Sequence, residues 1–253
     1  MTDRISIFGT KISITNIEKA PGQIMELAGK KSGYICLPDG FVVVTARKNK
    51  KLQNILNNSL LTFPDGSPIV MYSRLKKIKG MGSVSGFWLV KKLLQTELTH
   101  YFYGSSDEEL DKIKNNIETE FPESKVLGYK SPPWVMLEEI ENHPGLKKDI
   151  EEINRLKPDL VWIGMNSPKQ DYLMAAYHKQ FDKSILIGIG GVYDYLSGTM
   201  KISPEWVKKL SLRWVYRIVQ NPKRIFKKAV IAIFGFSWLT FKEILSGQFK
   251  KPT

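Results

Sequence analysis

Cysteine and histidine are scarce in this sequence. Cys36 is the single cysteine among 253 residues, which excludes an internal disulfide and a multi-cysteine metal site. The three histidines (His100, His143 and His178) are far apart in the sequence, which argues against a zinc centre of histidine and cysteine ligands. Low-complexity tracts and internal repeats are also missing, so solenoid and fibrous classes are excluded.

Long apolar runs are missing as well. The uncharged stretch 229–241 has thirteen residues, whereas a membrane-spanning helix needs roughly 20. The first residues, MTDRISIFGTK, contain no apolar segment of the kind found in a secretory signal, so we expect a cytoplasmic location. With 42% apolar and 25% charged residues, the composition is that of a soluble globular protein.

Negative charge is rare in one region only. The chain carries a net charge of +13, but residues 201–253 hold twelve Lys and Arg against two Glu, a net charge of +10. The first 200 residues therefore carry only +3. A nearly neutral body with a strongly basic tail predicts an anionic ligand or surface for the tail, and a nucleic acid and an anionic membrane both qualify.

Short apolar runs alternate with helical periods over the first 200 residues. Strands that alternate with helices indicate parallel pairing through right-handed crossovers. The predicted fold class is therefore α/β, with a doubly wound, mostly parallel, Rossmann-like sheet. We expect this core to cover 1–203, in halves that meet near residue 98, and a helical, basic appendage to cover 204–253.

A strand, a loop rich in Gly or Asn, and a helix follow one another three times in the second half. The three junctions read FYGSSDEE, WIGMNSPKQ and LIGIGGVYD. Ligands of such sheets bind beyond the carboxyl ends of the strands, where helix N-termini present N–H groups to phosphates. These loops predict a nucleotide site. It has no P-loop, and Tyr193 replaces the third glycine of a dinucleotide fingerprint.

Basic and aromatic residues are interleaved in the tail. Apolar residues from Trp206 to Val219 form a broken amphipathic stripe, Pro222 interrupts it, and 225–241 is predicted to be an aromatic-rich helix. A basic segment rich in Trp and Phe is typical of binding in the plane of a membrane interface. A helical lid packed on the core and a solvated helix face are the alternatives.

Six blocks of sequence follow one another in a recognisable order: LTFPDGSPIV, FYG before an acidic helix start, VLGYKSPP, DLVWIGMNSPKQD, GIGGVYDYLSG and SPEW…LRWVYRIVQNPKR. In these blocks, over about 5–230, the chain resembles the WecG/TagA/CpsF family, glycosyltransferase family 26. The resemblance implies transfer of a sugar from a UDP-sugar to an undecaprenyl-diphosphate-linked acceptor, for capsule, exopolysaccharide or a teichoic-acid-like polymer. It also implies inversion at the anomeric carbon, no essential metal or other cofactor, self-association, and work at the cytoplasmic face of the membrane.

Asp65, in the PDG turn after a predicted strand, matches the proposed catalytic base of the family. An inverting transfer needs a carboxylate that takes the proton from the acceptor hydroxyl as it attacks. An Asp-Gly pair is also a common turn, and Asp39 belongs to a second PDG turn. Asp65 is nevertheless the predicted catalytic residue.

The resemblance implies binding roles for four further side chains. Gln170 matches a glutamine beside the sugar, Asp194 matches an aspartate near the nucleotide, and Arg217 and Arg224 match arginines that close over the diphosphate. Arginine suits this role because its fork grips phosphate oxygens in pairs. Polar helix starts and membrane-facing arginines are the purely structural alternatives. The same turns and loops supply the other predicted substrate-binding residues: Asp39, Gly66, Gly104, Tyr129, Asn166, Lys169, Gly190 and Gly191.

Several positions depart from the usual family pattern. Leu37 and Asp39 stand where Thr and Asn are frequent, Ser83 stands where Arg is frequent, and Asp171 replaces a frequent Glu. We expect the first three to line the sugar or acceptor pocket. The N-acetylmannosaminyl specificity of well-known members is therefore not carried over to this chain.

Two other classes of function compete with the transferase. Charge alone is compatible with a nucleic-acid-binding protein, but such proteins spread basic and aromatic residues over a reading surface, and here they are concentrated in the tail. We therefore expect no nucleic acid partner. A catalytically inactive scaffold is the second alternative. The altered Leu37 and Ser83 favour it, whereas Asp65, Gln170 and Asp194 oppose it.

Overall fold

A parallel sheet forms the centre of the molecule. The computed structural model describes residues 2–204, 207, 213–247 and 249. The strands in this part of the chain are β1 (Arg4–Ile7), β2 (Thr10–Ser13), β3 (Gly33–Cys36), β4 (Leu61–Thr62), β5 (Thr99–Gly104), β6 (Lys125–Lys130), β7 (Leu160–Gly164) and β8 (Ile185–Gly188). β1 and β2 form an antiparallel hairpin, and the other strands form one parallel sheet in the order β4-β3-β8-β7-β5-β6. The predicted α/β fold is confirmed.

Helices cover both faces of the sheet and make up the described tail. They are α1 (Ala20–Leu27), α2 (Gly40–Lys48), α3 (Lys50–Asn58), α4 (Ser67–Leu75), α5 (Gly86–Leu93), α6 (Asp107–Glu120), α7 (Pro144–Leu156), α8 (Lys169–Tyr177), α9 (Tyr193–Leu196), α10 (Arg213–Gln220), α11 (Pro222–Val230) and α12 (Phe236–Leu245). A π-helical turn, Ile231–Gly235, joins α11 to α12. Within the described ranges, every helix is too short or too polar to cross a bilayer.

The core consists of two apolar layers, one on each face of the sheet. Phe102 and Trp162 point into the layer that α1, α5 and α6 cover, whereas Tyr103 and Val161 point into the layer of α2, α3, α7 and α8. Neighbouring strand residues alternate between the faces, and both faces of β3, β5, β7 and β8 are buried, so these strands are mostly apolar. Burial of each such side chain stabilises the fold by about 1.5–3 kcal/mol.

Two local features differ from the helical pattern in the sequence. The sequence pattern over 41–58 predicts one helix, but the structure has two. Asn49 has an extended backbone, and its side chain accepts a hydrogen bond of 3.0 Å from the Leu52 N–H, which caps α3. Helix α4 lies where the sequence predicts neither helix nor strand. It begins after Gly66, whose φ of +89° favours glycine, and it has Pro68 in its first turn.

The end of the tail packs on the first half of the chain. Phe236 is buried against Phe8 and Tyr72, with its ring centroid 4.9 Å from that of Phe8. The Tyr72 hydroxyl donates a hydrogen bond of 2.6 Å to Glu243 on α12. One face of the tail therefore covers the core. The division into a core over 1–203 and an appendage over 204–253 stays a prediction, and Trp206 lies outside the described residues.

Candidate active site

A large cleft lies at the carboxyl edge of the sheet. Its volume is about 1020 Å³, and it is lined by the turns that follow β3, β4, β7 and β8 and by residues of α10, α11 and α12. Parallel strands bring their carboxyl ends to one edge, so turns that are distant in the sequence meet there. The first-half turns carry Asp39 and Asp65, and the second-half turns carry Asn166 and Gly190.

Most of the predicted site residues line this cleft: Asp39, Asp65, Gly66, Asn166, Gln170, Gly190, Gly191, Asp194 and Arg217. We call Asp65, Asn166, Gln170, Asp194 and Arg217 the polar floor. Arg224 belongs to α11, and its side chain lies outside the described part of the structure.

The structure does not bring Gly104, Tyr129 and Lys169 into the cleft. A Cβ atom on Gly104 would lie 2.5 Å from the Cα atom of Gly164, so this glycine permits close packing of β5 and β7. The Tyr129 ring stacks on a core phenylalanine at 5.4 Å. Lys169 donates a hydrogen bond of 2.6 Å to the Val135 carbonyl. Each contact is structural, and the sequence pattern could not separate it from ligand binding.

The two PDG turns differ in what their carboxylates do. The Asp39 side chain caps α2 by accepting a hydrogen bond of 2.9 Å from the Val42 N–H. Asp65 stands just before α4, and its backbone N–H donates to the Pro38 carbonyl at 3.1 Å, which ties the two turns together. The Gly66 N–H donates to the Ser83 hydroxyl at 3.2 Å. These hydrogen bonds hold Asp65 at the wall of the cleft.

Three polar groups converge on the loop after β8. A Cβ atom placed on Gly191 would lie 3.7 Å from Arg217 Nη2 and 3.7 Å from Asp194 Oδ2. The Asn166 side-chain oxygen would lie 3.8 Å from the same point. Asn166 has a φ of +60°, a conformation that Asn adopts more readily than most residues. A guanidinium, a carboxylate and an amide thus surround one small space.

Two buried polar atoms of the polar floor have no hydrogen-bond partner in the described part of the chain. They are Arg217 Nε, a donor, and Gln170 Oε1, an acceptor. Buried polar groups are nearly always hydrogen-bonded, and leaving one unpaired costs about 1–3 kcal/mol. A ligand with an anionic group and a nearby hydroxyl or N–H would satisfy both.

A buried network lies beneath Gln170. Gln170 Nε2 donates to the Ser167 hydroxyl at 3.2 Å. Ser167 and the Cys36 thiol both hydrogen-bond to the carboxyl group of Asp171. These contacts give the Gln170 amide a fixed orientation, with its nitrogen toward Ser167. The sequence did not single out Ser167 or Cys36, because neither residue type distinguishes a buried hydrogen bond from ordinary packing.

Burial changes the acidity of this network. Desolvation raises the pKa of Asp171 to about 6, and the hydrogen bonds from Ser167 and Cys36 only partly oppose it. Burial also raises the pKa of the Cys36 thiol well above its usual value, with the neighbouring Asp171 adding to the effect. The thiol is therefore a hydrogen-bond donor and not a thiolate nucleophile.

The mouth of the cleft is apolar, in contrast with its floor. Large apolar side chains from α4, α5, α12 and the segment after α9 line the cleft and remain partly exposed, and we call them the apolar rim: Met71, Leu75, Trp88, Ile202, Phe241 and Ile244. Arg74 and Lys228 line the same cleft. Because the sequence predicted no helix at α4, it missed this side of the site.

No metal centre is visible in the ranges that the structure describes: no three His, Cys, Asp or Glu side chains come close enough to hold an ion. That the reaction needs no metal stays a prediction.

Known proteins show which family the chain belongs to. The model of the glycosyl transferase WecG/TagA/CpsF family matches residues 5–250. The chain belongs to this family. The resemblance seen in the sequence blocks is thereby confirmed, and so is the expectation that the protein is a glycosyltransferase.

Relatives with assigned activities match most of the length of the chain. The chain is 28% identical to the N-acetylglucosaminyldiphosphoundecaprenol N-acetyl-beta-D-mannosaminyltransferase of Bacillus subtilis strain 168 over 210 residues. This alignment covers 80% of the chain and 76% of that protein. A protein of the same name from Bacillus spizizenii is 25% identical over 233 residues, or 87% and 86% of the two chains. The Staphylococcus aureus strain MW2 protein is 22% identical over 242 residues, or 93% and 92%.

Three of the four positions that depart from the usual pattern of this glycosyltransferase family lie in the cleft. Leu37, Asp39 and Ser83 all line it. The Ser83 hydroxyl accepts a hydrogen bond from the Gly66 N–H, so it helps to hold the turn that carries Asp65. A change of chemistry at these three positions alters the wall of the site and leaves the polar floor in place.

Proposed function

We propose that the protein moves a sugar from a UDP-sugar to a sugar that is joined through a diphosphate to a polyprenol, in the synthesis of a cell-surface polysaccharide. The observation that carries the proposal is the polar floor: the carboxylate of Asp65 lines the same cleft as the guanidinium of Arg217, whose Nε atom is buried and has no partner among the described residues. The names of the relatives support the acceptor class, because they specify N-acetylglucosaminyldiphosphoundecaprenol.

In this proposal, Asp65 and Arg217 divide the reaction between them. Asp65 takes the proton of the acceptor hydroxyl, whose oxygen attacks the anomeric carbon as the bond from that carbon to the UDP oxygen breaks. Arg217 binds the departing diphosphate through its guanidinium and stabilises the charge that develops there. Attack opposite the leaving group inverts the anomeric carbon. Asp194 and Asn166 lie next to the guanidinium, and in this proposal they bind the nucleotide.

Gln170 binds the donor sugar in this arrangement. Its Oε1 atom is buried and lacks a partner among the described residues, and its Nε2 atom is occupied by Ser167. The free carbonyl oxygen accepts a hydrogen bond from a hydroxyl or amide N–H of the sugar. The identity of that sugar is not taken from the relatives, because Leu37 and Ser83 alter the wall beside it.

The outward face of the tail binds the membrane surface in this proposal. Phe234, Trp238 and Leu245 are exposed and do not line the cleft. Lys242, also exposed, lies 5.3 Å from the Trp238 ring centre. Aromatic side chains next to basic ones are typical of helices that lie in the membrane interface. Work at the cytoplasmic surface and self-association of the chain belong to the same proposal.

A transfer assay tests the proposed function. Purified protein is incubated with a panel of UDP-sugars and a short-chain lipid-diphosphate sugar acceptor, with and without EDTA. We expect one UDP-sugar to support transfer with inversion, and activity to survive EDTA. If no UDP-sugar supports transfer although the protein binds UDP, the scaffold alternative replaces the proposal.

A further inference from the structure

The apolar rim is unusual because its side chains are both exposed and part of one cleft. Their exposed fractions run from 39% for Trp88 to 59% for Met71. Single exposed apolar residues are ordinary on a protein surface. A continuous group around the mouth of a cleft is instead typical of a binding site for an apolar ligand.

Two helices form opposite sides of the rim. α4 begins at Ser67, next to the turn of Asp65, and its Met71, Arg74 and Leu75 share a helix face through the spacing of three and four residues. The residues of this face are exposed, whereas Ile69 and Tyr72 of the same helix are buried. At 1.5 Å per residue, Leu75 lies about 12 Å along the axis from Ser67. α4 thus leads from the predicted base to the surface.

α12 supplies the second side with the same periodicity. Ser237, Thr240, Phe241 and Ile244 all line the cleft, at the spacing that puts them on one face of a helix. α4 and α12 are held together by the hydrogen bond from Tyr72 on α4 to Glu243 on α12. The apolar rim is therefore a fixed feature and not two independent surfaces.

We propose that the apolar rim binds the first isoprene units of the acceptor's polyprenyl chain, with the acceptor diphosphate beside Arg74. The proposal rests on the proposed function. Continuity supports it, because one cleft contains Asp65 and the apolar rim. Charge supports it as well. Arg74 stands between two apolar side chains of the same helix face, so its guanidinium can bind a diphosphate while its neighbours contact the hydrocarbon chain attached to it.

The shape of the surface selects a single chain as the occupant. The rim side chains face a cleft, and a single isoprenoid chain fits into a cleft where a bilayer surface does not. The exposed side chains that face away from the cleft, Phe234, Trp238 and Leu245, are the ones available to the bilayer. The acceptor would thus leave the membrane next to the outward face and enter the cleft through the rim.

Paired substitutions on α4 and α12 test the proposal. Leu75→Gln with Ile244→Gln changes both sides of the rim, and both side chains are about half exposed, so the fold should tolerate the change. The matched control is Met25→Gln with Leu156→Gln: Met25 on α1 and Leu156 at the end of α7 are also about half exposed, and neither lines the cleft. Melting temperatures of all variants are compared first.

The readout is KM for two acceptors that differ only in the length of the lipid chain. For a long polyprenyl acceptor in detergent, the rim variant should raise KM on the order of tenfold. For an acceptor whose chain is too short to reach Leu75, the rise should stay under about threefold. The control pair should leave both values near those of the native protein. Equal effects on both acceptors, or an equal effect of the control pair, would overturn the proposal.

Photo-crosslinking separates this proposal from the proposed function. A farnesyl diphosphate with a diazirine on its chain is irradiated with the native protein in the absence of any donor. Labelling within 71–75 and 241–244 is expected. Labelling of Phe234, Trp238 or Leu245 instead, or no labelling above that of the rim variant, rejects the rim. If the rim is labelled but the protein transfers no sugar, the lipid-binding role of the rim stands and the proposed function is rejected.

Discussion

The polar floor and the apolar rim are two ends of one cleft with opposite chemistry. The floor is made by turns at strand ends and by helices α8, α9 and α10, and its side chains are buried or partly buried. The rim is made by helices α4, α5 and α12 and by one residue after α9, and its side chains are exposed. Under the proposed function, this difference lets one cleft take a charged, water-soluble donor at the polar floor and a lipid-linked acceptor through the apolar rim.

The largest expected effect comes from removal of the carboxylate on the polar floor. Asp65→Asn keeps the size of the side chain but cannot take a proton, so turnover should fall by on the order of 10²–10⁴ with UDP binding retained. Single-turnover kinetics and UDP titration measure the two quantities. Asp39→Asn is the control from the other PDG turn, where Asn can still cap α2. Near-native turnover of Asp65→Asn would show that Asp65 is not the catalytic base.

Arg217→Gln should have the next largest effect. Loss of the guanidinium leaves the departing diphosphate without its positive partner, so kcat/KM for the UDP-sugar should fall about 10²–10³-fold. Arg217→Lys should recover part of the loss, because lysine restores the charge without the fork. Arg155→Gln, on the exposed end of α7, serves as the control. A fall of less than about threefold for Arg217→Gln would contradict the assignment.

Asp171, beneath the polar floor, should make stability depend on pH. Its pKa is raised by burial from 3.8 to about 6, so the folded protein binds its proton more tightly than the unfolded chain does. The free energy of unfolding should therefore fall as pH rises from about 4 to about 6, by about 3 kcal/mol, and then level off. Urea unfolding across this range, native against Asp171→Asn, measures the difference. Parallel pH profiles for the two proteins would contradict the prediction.

The smallest expected effect lies outside the cleft, on the outward face of the tail. Replacement of Phe234, Trp238 and Leu245 by Gln should weaken binding to anionic liposomes on the order of tenfold, with little change in transfer to a short-chain acceptor. Salt should weaken liposome binding of the native protein only in part, because part of the affinity is apolar. Liposome sedimentation provides the measurement. Equal sedimentation of the variant and the native chain would exclude this face from membrane contact.

The polar floor was largely predictable from the sequence, whereas the apolar rim was not. Asp65, Gln170 and Asp194 stand in the turns that follow strands or at the start of the next helix, and a parallel sheet must bring such junctions to one edge. Gly104, Tyr129 and Lys169 were predicted by the same logic, but packing in the core or a backbone hydrogen bond keeps them out of the cleft. Local sequence does not show which side of a turn a residue will face.

The rim depends on contacts between segments that are far apart in the chain. α4 follows a proline and has few strong helix signals, and it is stabilised by buried residues such as Tyr72, which packs against Phe236 from the tail. The lid and membrane interpretations of the tail competed in the sequence. In the structure, Phe236 faces the core, and Phe234 and Trp238 face outward.

The sequence by itself determined the alternation of strands and helices, the concentration of positive charge in the tail and the family to which the chain belongs. These properties are local or additive, since periodicity, composition and motif order are read along the chain. Only the tertiary structure decided that Arg217 reaches the loop at Gly191, that Asp171 is buried with Cys36 and Ser167, and that α4 and α12 face each other. The physical reason is that burial and close approach depend on how distant segments pack, and a free energy of packing belongs to no single segment.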